Sequence, residues 1–276
     1  MELGLNGATT LKADLATDIA VAGKAGLDFI EIWAPKLLGY LEQGGLPALR
    51  RDLARAGVAV AALNSVERIT FNDPSGHGRM LEDFRRFCRI AEAIRCETIL
   101  VVPSPRPAGT GAEAVAQESV RVLRELSRIA KPHGVRLAFE FLGFRSCSVN
   151  TLARCAEIVE RVGRPNVGLV LDTFHFFAGG STPASIDRVD PHRIFMVHVN
   201  DVERGPRGSL HDALRLLPGE GVLPLEAILS RLKRIGYDGK FSVEIFRPAY
   251  WERSPALVAK AARASLTAAL RRAGYV

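Results

Sequence analysis

The sequence predicts a single (β/α)8 barrel over residues 1–276. Three observations carry this expectation. Eight short apolar runs alternate with longer amphipathic stretches from one end of the chain to the other. No Pro/Gly/Ser-rich linker or low-complexity block interrupts them, and the 276 residues suffice for one large core. Finally, the last four runs contain the stretches RLAFE, VGLVLD, IFMVH and FSVE, each closed by an acid or an imidazole.

In chain order, the strand-like runs are 2–6 (ELGLN), 28–33 (DFIEIW), 58–64 (VAVAALN), 98–103 (TILVVP), 136–142 (RLAFEFL), 167–172 (VGLVLD), 194–200 (IFMVHVN) and 240–246 (KFSVEIF). Helix-like periodicity follows each one, at 11–25, 46–56, 79–95, 112–131, 151–162, 182–188, 224–235 and 255–273, the sixth being weak and short. Gly26, Gly57, Gly134 and Gly163 stand where helices should stop, since glycine tolerates the left-handed backbone of a helix end. The first turn lacks the GxGxxG pattern of an open dinucleotide-binding sheet, which favours the barrel.

Composition narrows the class. Hydrophobic residues make up 47% and charged residues 24%, ordinary proportions for a globular enzyme. The formal charge of +7 does not signal nucleic acid, because Arg50, Arg51, Arg55, Arg85, Arg86 and Arg89 are interspersed with Asp52, Glu82 and Asp83 in helical patterns, as on wet helix faces. No apolar run approaches the ~20 residues of a membrane span and the amino terminus has no leader pattern, so a cytoplasmic protein is expected. The four cysteines, Cys88, Cys96, Cys147 and Cys155, form no CxxC pair and read as buried free thiols. A homodimer is compatible with the pattern, which does not specify one.

Chemistry concentrates at the ends of the last four runs. Glu140, Asp172, His198 and Glu244 would all sit at the carboxyl mouth, where barrels of this kind carry their sites. Three carboxylates and one imidazole make a hard, mainly oxygen donor set suited to one divalent ion, Mn²⁺, Mg²⁺ or Zn²⁺, with positions left for substrate oxygens. Such a site suits proton transfer beside a ketone through an enediolate, with Glu140 and Glu244 as acid/base groups. Substrate contacts are expected from the same rim: Asn6, Trp33, Asn64, Glu67, His175, Arg204 and Arg247. His175 reads either as a donor to a substrate hydroxyl or as a core histidine between two phenylalanines, and Trp33 either as a stacking platform or as core. His211 and Asp212 either supply a further metal or shape a loop.

This set, with D-x-x-H at Asp172 and His175, VHVND around His198, PGEG at 218–221 and SVE at Glu244, resembles the xylose-isomerase-like barrels. That superfamily holds sugar isomerases, ketose 3-epimerases, 3-dehydroshikimate dehydratases and endonuclease IV. Longer stretches, NGATTL at 6–11, ALN at 62–64, FEFLGFRSCSVNTL at 139–152, NVGLVLDTFHFFAGGS at 166–181 and SVEIFRPAYW at 242–251, are similar to the inosose isomerases. The resemblance implies the same four metal ligands and a polyol ketone substrate, with conversion of 2-keto-myo-inositol to 1-keto-D-chiro-inositol as the expected reaction. Two departures stand out: Gly7 occupies a position where an acidic residue is expected, and Arg204, six residues past His198, resembles the ketose 3-epimerases. The competing expectations are ketose 3-epimerisation, dehydration of 3-dehydroshikimate and a DNA-repair endonuclease. The last needs extra histidines, which ALNSVE and LVVPSP at the third and fourth strand ends do not offer.

Overall fold

The computed structural model describes residues 1–275. Eight parallel strands close a barrel: β1 (Glu2–Asn6), β2 (Phe29–Trp33), β3 (Ala59–Val66), β4 (Thr98–Val101), β5 (Arg136–Glu140), β6 (Val167–Asp172), β7 (Ile194–His198) and, after a short antiparallel pair β8 (Asp201–Val202) and β9 (Arg215–Leu216), β10 (Lys240–Val243). The cyclic order β1-β10-β7-β6-β5-β4-β3-β2 leaves no barrel strand with an open edge.

Around the barrel run α1 (Leu15–Lys24), α2 (Ala34–Ala56), α3 (Pro74–Ile94), α4 (Ala112–Ala130), α5 (Leu152–Val162), α6 (Thr173–Ala178), α7 (Pro183–Ile186), α8 (Leu225–Arg234), α9 (Pro248–Trp251) and α10 (Pro255–Arg272). Each long helix buries one stripe. In α5 the buried residues Leu152, Cys155, Ile158, Val159 and Val162 recur at helical spacing, Thr151 caps the first turn through the Arg154 N–H, and Gly163 ends the helix at φ 63°. The arginines of α2 and α3 named above are exposed, as wet helix faces should be.

Two differences from the sequence expectations have physical causes. The helix expected at 46–56 begins at Ala34, directly after β2, because a kink at Gly45 (φ 67°) joins two helical pieces whose separate periodicities do not run in phase. The weak sixth helix shrinks to α7, and α6 forms instead immediately after β6, where the Asp172 carboxylate accepts the His175 N–H at 2.7 Å and starts the turn.

The core has two parts. One lies between barrel and helices; the other fills the barrel with Phe29, Ala61, Ala62, Leu100, Ala138, Val170, Phe195 and Met196. A Cβ on Gly4 would come within 2.0 Å of the Phe29 ring, so the missing side chain on β1 is what admits the ring on β2. Burying such a side chain contributes about 2–3 kcal/mol. The four cysteines are buried free thiols, and burial pushes Cys88 and Cys96 up to about 12. Among the described residues no helix is long and apolar enough to cross a membrane.

Candidate active site

Strand ends bring the four chemical side chains together. Glu140 closes β5, Asp172 closes β6, His198 closes β7 and Glu244 follows β10, and one ligand atom from each lies within 4.8 Å of all the others. All four residues are buried. His198 Nδ1 lies 3.1 Å from Glu140 Oε1, 3.3 Å from Glu244 Oε2 and 3.8 Å from Asp172 Oδ2.

The surrounding hydrogen bonds orient each group. Glu244 Oε1 accepts from Asn6 Nδ2 and Asn64 Nδ2, both at 3.0 Å. Asp172 Oδ2 accepts from Asn200 Nδ2 at 2.8 Å and Arg215 Nη1 at 2.7 Å. On the far side of the imidazole, His198 Nε2 lies 3.0 Å from Glu31 Oε2.

These neighbours set the charges. Burial pushes Glu140 up to about 7, aided by the Glu244 charge and opposed by His198. Burial acts the same way on Asp172, but Arg215, His175 and His198 outweigh it and hold the carboxyl at about 2. Glu244 is likewise lowered, chiefly by His198 against its burial. Burial alone would lower His198, yet Glu244, Glu31 and Glu140 together carry it well above the imidazole range. A pocket that draws protons onto a fully buried imidazole is one that attracts cations. With three carboxylates and an Nδ1 aimed at them, its donor set fits a single divalent ion.

Above this cluster opens a cavity of about 320 Å³ with Trp33, Val102, Pro103, Leu142, Phe144 and Phe246 as apolar walls. Of the expected substrate contacts, Trp33, Asn64, Glu67 and His175 line it, as does Asp212. Trp33 meets Phe246 edge to face at 5.4 Å, and Glu67 is exposed at the mouth. Asn6 is fully buried behind Glu244, which it orients.

Arg204 and Arg247 correct the expectation that they face the substrate. The antiparallel pairing of β8 with β9 turns the intervening loop outward, leaving Arg204 and His211 exposed. Arg247 instead binds that loop, 2.6 Å from Glu203 Oε1 and 3.4 Å from the Ala213 carbonyl. The guanidinium in the site belongs to Arg215, which the hairpin returns to the cavity, and which sequence reading missed because it lies seventeen residues past the strand end at His198. Arg215 is fully buried, with Nη2 3.0 Å from His175 Nε2, Nε 2.9 Å from Asp212 Oδ1, and its plane between the Phe174 and Phe246 rings. Glu31 was missed as well, although a lone acid inside the apolar run FIEIW was a readable signal.

A closed parallel barrel with this donor set at its carboxyl mouth defines a metal-dependent xylose-isomerase-like barrel, and the family model described as xylose isomerase-like TIM barrel matches residues 19–269. The chain is 38% identical to the inosose isomerase of Halalkalibacterium halodurans over 265 residues, 95% of this chain and 94% of that one. It is 39% identical to the inosose isomerase of Bacillus subtilis over 254 residues, 91% of each chain. A crystal structure of an IolI protein with a bound zinc atom superposes with a TM-score of 0.97 at 36% identity, covering both chains completely. The chain belongs to the inosose isomerase family, and is an enzyme of the isomerase and epimerase class that works with a divalent metal ion.

Proposed function

We propose that the enzyme converts 2-keto-myo-inositol to 1-keto-D-chiro-inositol by moving a proton between neighbouring carbons through an enediolate. The observation that carries this reading is the pair Glu140 and Glu244, which reach one cavity from β5 and from the end of β10 with His198 Nδ1 between them. When bound, the divalent ion supplies the Lewis acidity that stabilises negative charge on the ketone oxygen.

Glu140 is the better proton acceptor. Its one hydrogen-bonding neighbour among the described residues is His198, and burial already favours its protonated form. Glu244 is held as an anion by His198 and Arg215, with Asn6 and Asn64 fixing its other oxygen, so it acts on the opposite side of the substrate. Proton return to the adjacent carbon shifts the ketone along the ring.

His175 supplies a hydrogen bond to a substrate oxygen. Its Nδ1 is buried without a hydrogen-bond partner among the described residues, and Arg215 occupies Nε2, which leaves the ring proton on Nδ1. Burial, reinforced by Arg215 and opposed by Asp172, lowers it to about 4, so the imidazole is neutral near pH 7. Trp33 and Phe246 give the ring carbons an apolar wall.

The test is incubation of the metal-loaded enzyme in D₂O with 2-keto-myo-inositol, D-fructose, D-tagatose or 3-dehydroshikimate. Deuterium beside the ketone and a second inosose from 2-keto-myo-inositol are expected. Exchange only into a ketohexose would establish a 3-epimerase, and a conjugated ultraviolet-absorbing product from 3-dehydroshikimate would establish a dehydratase.

A further inference from the structure

Strand β2 sends Phe29, Glu31 and Trp33 to the barrel interior and Ile30 and Ile32 to the helix side, following the period of two. Phe29 fills the apolar interior and Trp33 lines the cavity, so Glu31 lies in the layer between them. It is 1% exposed. Its partner is not on a neighbouring strand: β1 and β10 separate β2 from β7, and the carboxylate crosses the barrel to reach His198 Nε2.

A buried carboxylate retained only for folding would have both oxygens satisfied. Here, among the described residues, Oε2 meets the imidazole alone and Oε1 has no hydrogen-bond partner. An apolar side chain would fill the same layer at lower cost. The explanation for an acid at this position therefore lies in what it does to His198.

A neutral imidazole carries one N–H, and only the other nitrogen can bind a metal ion. Glu140 and Glu244, 3.1 Å and 3.3 Å from Nδ1, would draw that proton onto the nitrogen facing them. A proton there leaves no lone pair for an ion. Glu31 is the acceptor on the opposite side that competes for it. We propose that Glu31 is a positioning residue of the metal centre: it holds the His198 proton on Nε2, so that Nδ1 presents its lone pair to the ion. This inference does not depend on which substrate the enzyme uses.

The experiment compares the whole protein with Glu31→Met, which fills the layer without an acceptor, and Glu31→Gln, which keeps one neutral oxygen. Zn²⁺ affinity is measured by competition with a chromophoric chelator, and the melting temperature of each metal-free protein is recorded alongside. Removing a carboxylate behind a metal histidine typically weakens binding ~10- to 100-fold. That loss is expected in E31M with E31Q intermediate, while metal-free E31M melts no lower than the wild type. Affinity within about twofold of wild type in both variants, against the ~10-fold or greater loss expected, overturns the proposal. So does a fall in metal-free stability with affinity unchanged. Nitrogen-15 and proton spectra of Zn²⁺-loaded wild type and E31Q decide the question even if E31M fails to fold: a His198 proton on Nε2, shifted downfield by its carboxylate partner in the wild type and less so in E31Q, is expected, and a proton on Nδ1 or a resonance unchanged in E31Q refutes it.

Discussion

Arg215 Nη1 lies 2.7 Å from Asp172 Oδ2, and the same nitrogen lies 3.2 Å from Glu244 Oε2. One buried guanidinium thus ties two members of the metal cluster to each other. With Nε and Nη2 bound to Asp212 and Nη2 also meeting His175, its donors are spent on the protein, so it shapes the site instead of gripping substrate. Arg215→Met leaves these carboxylates without their buried cation and should cost on the order of 3 kcal/mol. Urea denaturation of the metal-free protein measures it. Arg215→Lys should recover little, because an ammonium cannot reproduce the planar fork. Wild-type stability in either variant would remove Arg215 from this role.

The four members of the cluster should separate by kinetics. Asp172→Asn or His198→Gln should mainly weaken metal affinity, with excess metal restoring part of the rate. Glu140→Gln and Glu244→Gln should lower kcat by about two or more orders of magnitude even at saturating metal, since each removes a group proposed to carry the proton. Chelation should abolish turnover while circular dichroism of the barrel persists. Near-normal turnover of both Gln variants would move the base elsewhere on the cavity wall.

A pH effect on stability is expected at Asp18, which does not line the cavity. Asp18 is buried against Lys36 Nζ at 2.6 Å and Thr10 Oγ1 at 2.7 Å, and burial raises it from 3.8 to about 6 despite Lys36. The unfolded chain ionises this acid first. Its contribution to stability is therefore complete below about pH 4 and is lost as the pH climbs through about 6. The rise from 3.8 to about 6 corresponds to about 3 kcal/mol. Relative to Asp18→Asn, wild-type stability should fall by that order between pH 4 and pH 7 in urea titrations. A constant difference across the range would show that Asp18 titrates normally.

Arg204→Ala should leave KM and kcat within roughly twofold, the result for an exposed side chain outside the cavity. A rise in KM would mean that the loop after β8 closes over bound substrate.

The barrel and its metal cluster were legible because each depends on a local rule. Strand runs such as VGLVLD and IFMVH are continuous in sequence, and an acid or imidazole at their ends needs no long-range information to be placed at the mouth. Glu31 was partly legible: once Trp33 is assigned to the cavity, the strand period puts Glu31 on the same face, although its partner across the barrel is not written locally. Arg215 was not legible. Two-residue strands carry too little pattern to reveal the β8–β9 hairpin, and Arg204, nearer in sequence, was the more obvious arginine. The α2 kink was hidden similarly, because Gly45 resembles a helix stop within a segment that continues.

The two asparagines on Glu244 tie the centre to both ends of the chain. Asn6 ends the first strand, Asn64 lies in the third, and the carboxylate they orient follows the last, across the seam where β10 pairs with β1. Glu140, Asp172 and His198 come from three neighbouring strands, and the fourth member joins them only where the final strand docks on the first. The four-residue centre is thus complete only in the closed ring, where the last strand lies on the first.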